Sequence, residues 1–417
     1  MTLANGRPYL AIPGPSVMPD RVLNAMHRAS PNIYAGELVE MTESLIPDLR
    51  AVARAGGDVA IYVGNGHAAW EAALCNVLSR GDRVLALATG RFGHGWAAMA
   101  EGLGAAVEII DFGKRAPADP GRLRAALQAD ADHRIRAVLV THVDTATSIR
   151  NDIAALAAER DALGHPALIL VDCIASLACD RFEMDAWGAD VMVAGSQKGL
   201  MTPPGLGLVW FNARAAAARA RAGMVTPYWD WAPRTRPGAY YEYFCGTAPT
   251  HHLYGLRAAL DMIGEEGIEA VWTRHARLAG AVWAAAAAWG AGGPLRLNVA
   301  EPAHRSHAVT SMSLPSPHGT ALRDWLEREA GVTLGIGLGM AEPGDPAWHG
   351  HFRLAHMGHV NAHMTLGALA AMDAALKALD IPHGAGAIDA AAASLAAAPP
   401  GQAKPLPAGP MPRVLGT

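Results

Sequence analysis

Val191-Met192-Val193-Ala194-Gly195-Ser196-Gln197-Lys198-Gly199, with the turn Pro203-Pro204-Gly205 and the apolar run Leu206 to Phe211 behind it, decides the architecture of this 417-residue chain. Its apolar runs are not interrupted every second residue, so they read as strands covered on both faces. Lys198 stands just past the first of them. A lysine at the end of a buried strand is uncommon, because its charge is costly to desolvate without a partner. Desolvation depresses the amine pKa and leaves a nucleophile toward an aldehyde. Standing alone, Lys198 would read as a lysine reaching solvent from a loop; its surroundings argue otherwise.

Working outward, the same grammar repeats from about Asp58 to Asn212. Val59-Ala60-Ile61-Tyr62-Val63 ends in a glycine turn and a helix from Ala68 to Leu78 follows. Arg83 to Ala88, Ala137 to Val140, and Ala167 to Val171 are further strands. This order predicts an α/β fold with a mainly parallel sheet. After a polar, aromatic loop from Tyr228 to Thr247, a long helical region runs from about Leu253 to Trp289. A smaller α+β unit follows: strand Ala308 to Leu314, helix Thr320 to Ala330, strand Phe352 to Leu354, helix Met364 to Leu379. From Gly384 the chain is rich in Ala and Pro without periodicity, and loose order is expected there. The expected division is an N-terminal segment 1–20, a large domain 21–275, a small domain 276–383 and a tail 384–417.

Composition narrows the partners. A net charge of -4 without a basic run speaks against nucleic acid and acidic membrane surfaces. The four cysteines form no CxxC pair and have no histidine at zinc-finger spacing, so no structural metal is expected. The N-terminus lacks a basic region followed by an apolar stretch, and a reducing, cytoplasmic setting is the expectation. Residues between Arg277 and Arg296 are all uncharged, but the alanines are weakly hydrophobic and Gly290, Gly292, Gly293 and Pro294 interrupt them. That pattern predicts a helix ending near Gly290 rather than a membrane span.

Open α/β sheets bind ligands at the carboxyl ends of their strands, so the polar residues after each apolar run carry the functional argument. Gly64-Asn65-Gly66-His67 opens a helix whose free N–H groups suit a phosphate, or else is a simple tight turn. Asp172 closes Ala167 to Val171. A carboxylate there can chelate a metal, cap a helix, or pair with a protonated ring nitrogen, as pyridoxal phosphate requires.

In this order and at this spacing, Gly64-Asn65-Gly66-His67, Val171-Asp172, Gly195-Ser196-Gln197-Lys198-Gly199 and Pro203-Pro204-Gly205 resemble the class-V aminotransferases of fold type I. Within them the chain resembles the alanine/serine–glyoxylate aminotransferases, from Ile12-Pro13-Gly14-Pro15 to about Leu379. The resemblance implies pyridoxal 5'-phosphate held on Lys198, with Asp172 on the ring nitrogen. Asn65, Gly66, His67 and Gln197 would hold the phosphate. Phe92 would stack on the pyridine face, Ile174 would be among the cofactor-binding residues, and Thr145 would bond the ring hydroxyl or its surroundings. Thr247 matches a phosphate contact given by a second subunit, which implies a homodimer with shared active sites. Arg353 matches the arginine that forks onto the substrate carboxylate, a task suited to guanidinium geometry. The implied reaction moves an amino group between a small amino acid and a 2-oxo acid, glyoxylate or pyruvate. Lys198 would take the α-proton and return it.

The departures bear on substrate choice. Phe92 stands where the family often has Trp. Phe244 stands where relatives carry Tyr, with Tyr243 as the neighbouring hydroxyl. Ser30-Pro31-Asn32-Ile33-Tyr34 lacks the His-Arg pair of several serine- and aspartate-using members. Cysteine desulfuration is excluded by the lack of any cysteine after Cys245. A pyridoxamine–pyruvate aminotransferase and an aspartate– or other amine–glyoxylate aminotransferase remain as alternatives. A transcription-regulator effector domain would need an N-terminal DNA-binding arm, for which the motifs leave no room. His94 and His142 read as structural or solvent-facing.

Overall fold

Apolar runs with no polar interruption need two hydrophobic surfaces, and the fold supplies them. The computed structural model describes residues 2–397. Its strands are β1 (Tyr9–Ala11), β2 (Asp58–Gly64), β3 (Arg83–Ala88), β4 (Ala106–Asp111), β5 (Ile135–Thr141), β6 (Val143–Asp144) and β7 (Ile149–Arg150). They continue as β8 (Leu168–Asp172), β9 (Val191–Gly195), β10 (Gly205–Phe211), β11 (Arg296–Leu297), β12 (Val309–Ser313), β13 (Val332–Ile336) and β14 (His351–Ala355). Seven of them form the large sheet, in the order β2-β10-β9-β8-β5-β3-β4. Along β5, Val138 and Val140 enter one core while Ala137 and Leu139 enter the other. The period-2 alternation is there, but both faces are buried, so it leaves no polar mark in the sequence.

Only β10 runs antiparallel in this sheet, against both β2 and β9. The link from β9 is too short for a helical crossover, so the chain must double back. Ser196 fixes the return: its hydroxyl donates to Pro203 O (2.7 Å) and accepts from Leu206 N (3.3 Å). The expected mainly parallel sheet is therefore present, with one reversed strand.

A five-stranded sheet, β1-β13-β14-β12-β11, forms the second unit. The N-terminal segment belongs to it, because Tyr9 to Ala11 pair in parallel with Val332 to Leu334. The long helical region divides at Gly267 (φ 83°) into Thr250–Glu266 and Ile268–Ala291. The boundary expected after residue 275 falls inside the second helix, which passes from one unit to the other.

Loose order from Gly384 onward is not what the structure shows up to Ala396. Residues Ala387–Ala396 form a helix packed on Ile268–Ala291. Alanine supplies little hydrophobicity per residue but lets two helices approach closely. Arg277 ties the helix end by donating to Leu395 O and to Ala397 O. Residues 398–417 of the expected tail lie outside the described residues. No helix of the described residues is long and apolar enough to cross a membrane.

Candidate active site

The parallel strands β8 and β9 end side by side, and this places Asp172 and the Gln197-Lys198 pair at one edge. Lys198 is buried, with 9% of its surface exposed, and its Nζ donates to Pro13 O. The segment after β1 lies directly over it. Gly14 has φ +95°, and a methyl group there would sit 2.5 Å from Lys198 Nζ, so both the backbone and the close approach demand glycine. Ser16 completes this cover: its hydroxyl donates to Lys198 O (2.7 Å) and its N–H to Gln197 O (2.9 Å).

Burial pushes the Lys198 amine down to about 8; Arg353 adds to the shift and Asp172 opposes it. Asp172, also buried, is pushed up to about 7 by desolvation, against the Ile174 N–H that donates to it at 2.7 Å. The Trp70 indole lies near enough to temper that rise, yet its Nε1 makes no hydrogen bond of ordinary geometry. The two groups thus sit with their pKa values drawn together, a common arrangement where protons are exchanged.

Arg353 comes from β14, in the middle of the small sheet. It is 5% exposed, and burial lowers its pKa to about 10, with Asp144 opposing. Nε donates to Ile336 O (2.8 Å) and Nη1 to Thr145 O (2.9 Å). Two carbonyls fix the plane of the guanidinium, and Nη2 is left without a protein acceptor among the described residues.

The expected phosphate residues are present in a modified arrangement. Asn65 caps the helix Gly66–Val77, its side chain accepting from His67 N (3.0 Å) and Ala68 N (3.3 Å). Of the first three amides of that helix, Gly66 N–H is the one Asn65 does not take. Ile174 packs directly on Gly66. The His67 ring lies 4.6 Å from Trp70, and burial and then Arg91 lower its pKa. Gln197 Oε1 is buried without a partner, an acceptor available to a bound group. Phe92 sets its edge on Trp70, with centroids 6.2 Å apart.

Thr145 is buried beside Arg353, whereas Thr247 is exposed on the loop before Thr250–Glu266 and bonds to none of these residues. Phe244 is buried against Tyr240 and Tyr243, so the expected stand-in Tyr243 is itself packed, and Tyr241 is the exposed tyrosine there. His142 is structural: Nδ1 bonds Ser176 Oγ (2.9 Å), and burial holds its pKa near 4. His94 is half exposed beside Asp111. Sequence reasoning left two contributors without a role, the cover Pro13 to Ser16 and the buried Asp144. Neither carries a signal of its own in the sequence: the cover meets the lysine through Pro13 O, and Asp144 meets its partners through backbone N–H groups.

Residues 9–347 match the aminotransferase class-V family. The chain is 36% identical over 381 residues to a serine–glyoxylate aminotransferase of Methylorubrum extorquens, across 89% of this chain and 91% of that one. It is 33% identical over 376 residues to an L-aspartate–glyoxylate aminotransferase of Paracoccus denitrificans, across 89% and 91% of the two chains. Among solved structures it superposes on pyridoxamine–pyruvate aminotransferase of Mesorhizobium loti with a TM-score of 0.84 at 26% identity, covering 95% of this chain and 99% of that one.

Proposed function

The chain belongs to the class-V aminotransferase family, and from that premise we propose that it moves the amino group of alanine or serine to glyoxylate or pyruvate, using pyridoxal 5'-phosphate held on Lys198. One observation carries the reading: a buried amine with pKa about 8 at the end of β9, flanked by a buried carboxyl at the end of β8. The chemistry of these side chains fits the cofactor. Asp172 would meet the ring nitrogen, Ile174 and Phe92 its faces, and the Gly66 N–H with the donating amide N–H of Gln197 the phosphate end. When bound, the cofactor supplies an electron sink that delocalises charge developed at the substrate α-carbon.

The protein's own groups do the rest. Arg353 Nη2 binds the substrate carboxylate, its plane already set by Ile336 O and Thr145 O, so little ordering is needed on binding. Lys198 Nζ takes the α-proton and delivers it back on the other side of the transfer, a task suited to a pKa near the operating pH. The cover Pro13 to Ser16 keeps water from the amine. A homodimer is part of the proposal: Thr247 faces outward, as do Tyr34 (86% exposed) and Tyr241 (61% exposed), large groups that a second copy would cover.

A second reading has its own support. Asn65 occupies two amides where a phosphate would otherwise bind, which favours a free pyridoxamine-like amine as donor over a tightly anchored cofactor phosphate. Absorption spectra of the protein with pyridoxal phosphate separate the two. A band bleached by alanine or serine and restored by glyoxylate supports the first. Bleaching by pyridoxamine alone supports the second. No band after adding pyridoxal phosphate refutes the assignment of Lys198.

A further inference from the structure

Asp144 is a fully buried carboxylate that the chemistry above does not use. It sits at the end of β6, and its oxygens are taken by backbone. Oδ2 accepts from Phe92 N (2.8 Å) and Gly93 N (3.3 Å), and Oδ1 accepts from Ala146 N (2.9 Å). Phe92 and Gly93 lie in the first turn of the helix Arg91–Gly102, an end that favours negative charge. The next residue, Thr145, presents the carbonyl that receives Arg353 Nη1.

A buried substrate-binding arginine needs a counter-charge, but a carboxylate in contact with it would occupy the positions meant for substrate. Asp144 answers both demands. Burial pushes its pKa up, and the N–H groups of Phe92, Gly93 and Ala146 oppose that rise and hold its negative charge within reach of Arg353. The same N–H groups restrain it from closing onto the guanidinium. On the aminotransferase reading above, we propose that Asp144 is a positioning residue for both halves of the site. It anchors Phe92 over the cofactor ring and, through the Thr145 peptide, aims Arg353 at the substrate carboxylate while standing off as its counter-charge.

Gly90 offers a way to disturb Asp144 without removing any polar group. Its backbone is extended (φ 164°), which alanine tolerates, yet a methyl group there would lie 2.6 Å from Asp144 Oδ1. Asp144→Asn and Gly90→Ala are compared with the wild type in three measurements: the pyridoxal phosphate dissociation constant by absorption titration of the cofactor-free protein, the inhibition constant of glycolate, and the melting temperature. Asparagine keeps one acceptor oxygen where two are used, so one set of N–H groups loses its partner. Both constants are expected to rise about tenfold in each variant, with kcat changed less, the size expected for a hydrogen bond to a charged group. A lowered melting temperature with both constants unchanged would mean that Asp144 serves the fold alone, and overturns the proposal. Should Asp144→Asn fail to fold, Gly90→Ala decides by the same two constants. A wild-type protein that takes up no pyridoxal phosphate overturns the cofactor reading and this inference together, whereas a normal wild type with unaltered variants overturns this inference only.

Discussion

The seven-stranded sheet delivers its reactive groups by ending strands, whereas the five-stranded sheet delivers Arg353 from mid-strand and steers it with carbonyls of two different segments. Asp172 and Lys198 take their positions from the register of β8 against β9, buried on both faces and closely packed. Arg353 sits in β14 opposite Ser311 and Gly335, and its side chain reaches out to Thr145 O on the large unit. The first arrangement is rigid by construction. The second depends on how the two units dock, so proton chemistry and carboxylate binding should be separable by mutation.

Lys198→Ala is the strongest test of the rigid half. Turnover should fall by at least about 10²–10⁴-fold, as removal of a general base does, while pyridoxal phosphate stays bound non-covalently after dialysis. Wild-type multiple turnover by this variant would refute the role of the large sheet. Arg353→Lys probes the docked half. A point charge cannot satisfy Ile336 O, Thr145 O and a ligand at once, so KM for amino donor and oxo acid should rise roughly 10–100-fold with kcat within a few-fold. A fall in kcat at constant KM would merge the two halves into one.

The pH dependence sharpens the distinction further. The Lys198 pKa is lowered from 10.5 to about 8, so the neutral amine is half populated near pH 8 and falls tenfold per unit below that. Capture of pyridoxal phosphate by the cofactor-free protein, followed by stopped-flow absorbance, should climb toward about pH 8 and then level. A rate still climbing at pH 10 would show an ordinary solvent lysine. The same shift has a stability sign. Between 8 and 10.5 the folded state binds fewer protons than the unfolded chain, so this group's contribution to stability grows as pH rises through that window. The smallest effect expected is that of Phe92→Trp, about threefold tighter cofactor binding, within the range of one added aromatic contact. Weaker binding would show that the edge contact with Trp70 limits the site.

How far the sequence could be read followed from burial. β2, β5, β8, β9 and β10 were legible because both their faces are covered, which leaves unbroken apolar runs. β4 was not: β2, the other edge strand, buries Val59 to Tyr62, whereas β4 exposes Ala106, Glu108, Ile109 and Asp111 and leaves no unbroken apolar run. β1 and β13 escaped notice because their pairing joins residues far apart in the chain, and nothing local signals it. Lys198 and Asp172 could be found as polar residues ending apolar strands, and Arg353 only through family resemblance. Asp144 was hidden because its partners are backbone N–H groups, which carry no residue signature. The Ala387–Ala396 helix was misjudged because alanine contributes packing through closeness rather than through hydrophobic pattern.

Tyr9 leaves the ribosome more than three hundred residues before Val332, the strand partner it must find. At about 5–20 residues per second this is a wait on the order of 15–60 s. Throughout it Pro13 to Ser16, the residues that roof the Lys198 amine, lack the anchor on which they later rest. A ribosome-bound or prematurely ended chain therefore carries the lysine without its roof. The reactive amine becomes a finished feature only after Val332 has been made, so a segment synthesised early and a strand synthesised more than three hundred residues later together complete the site between them.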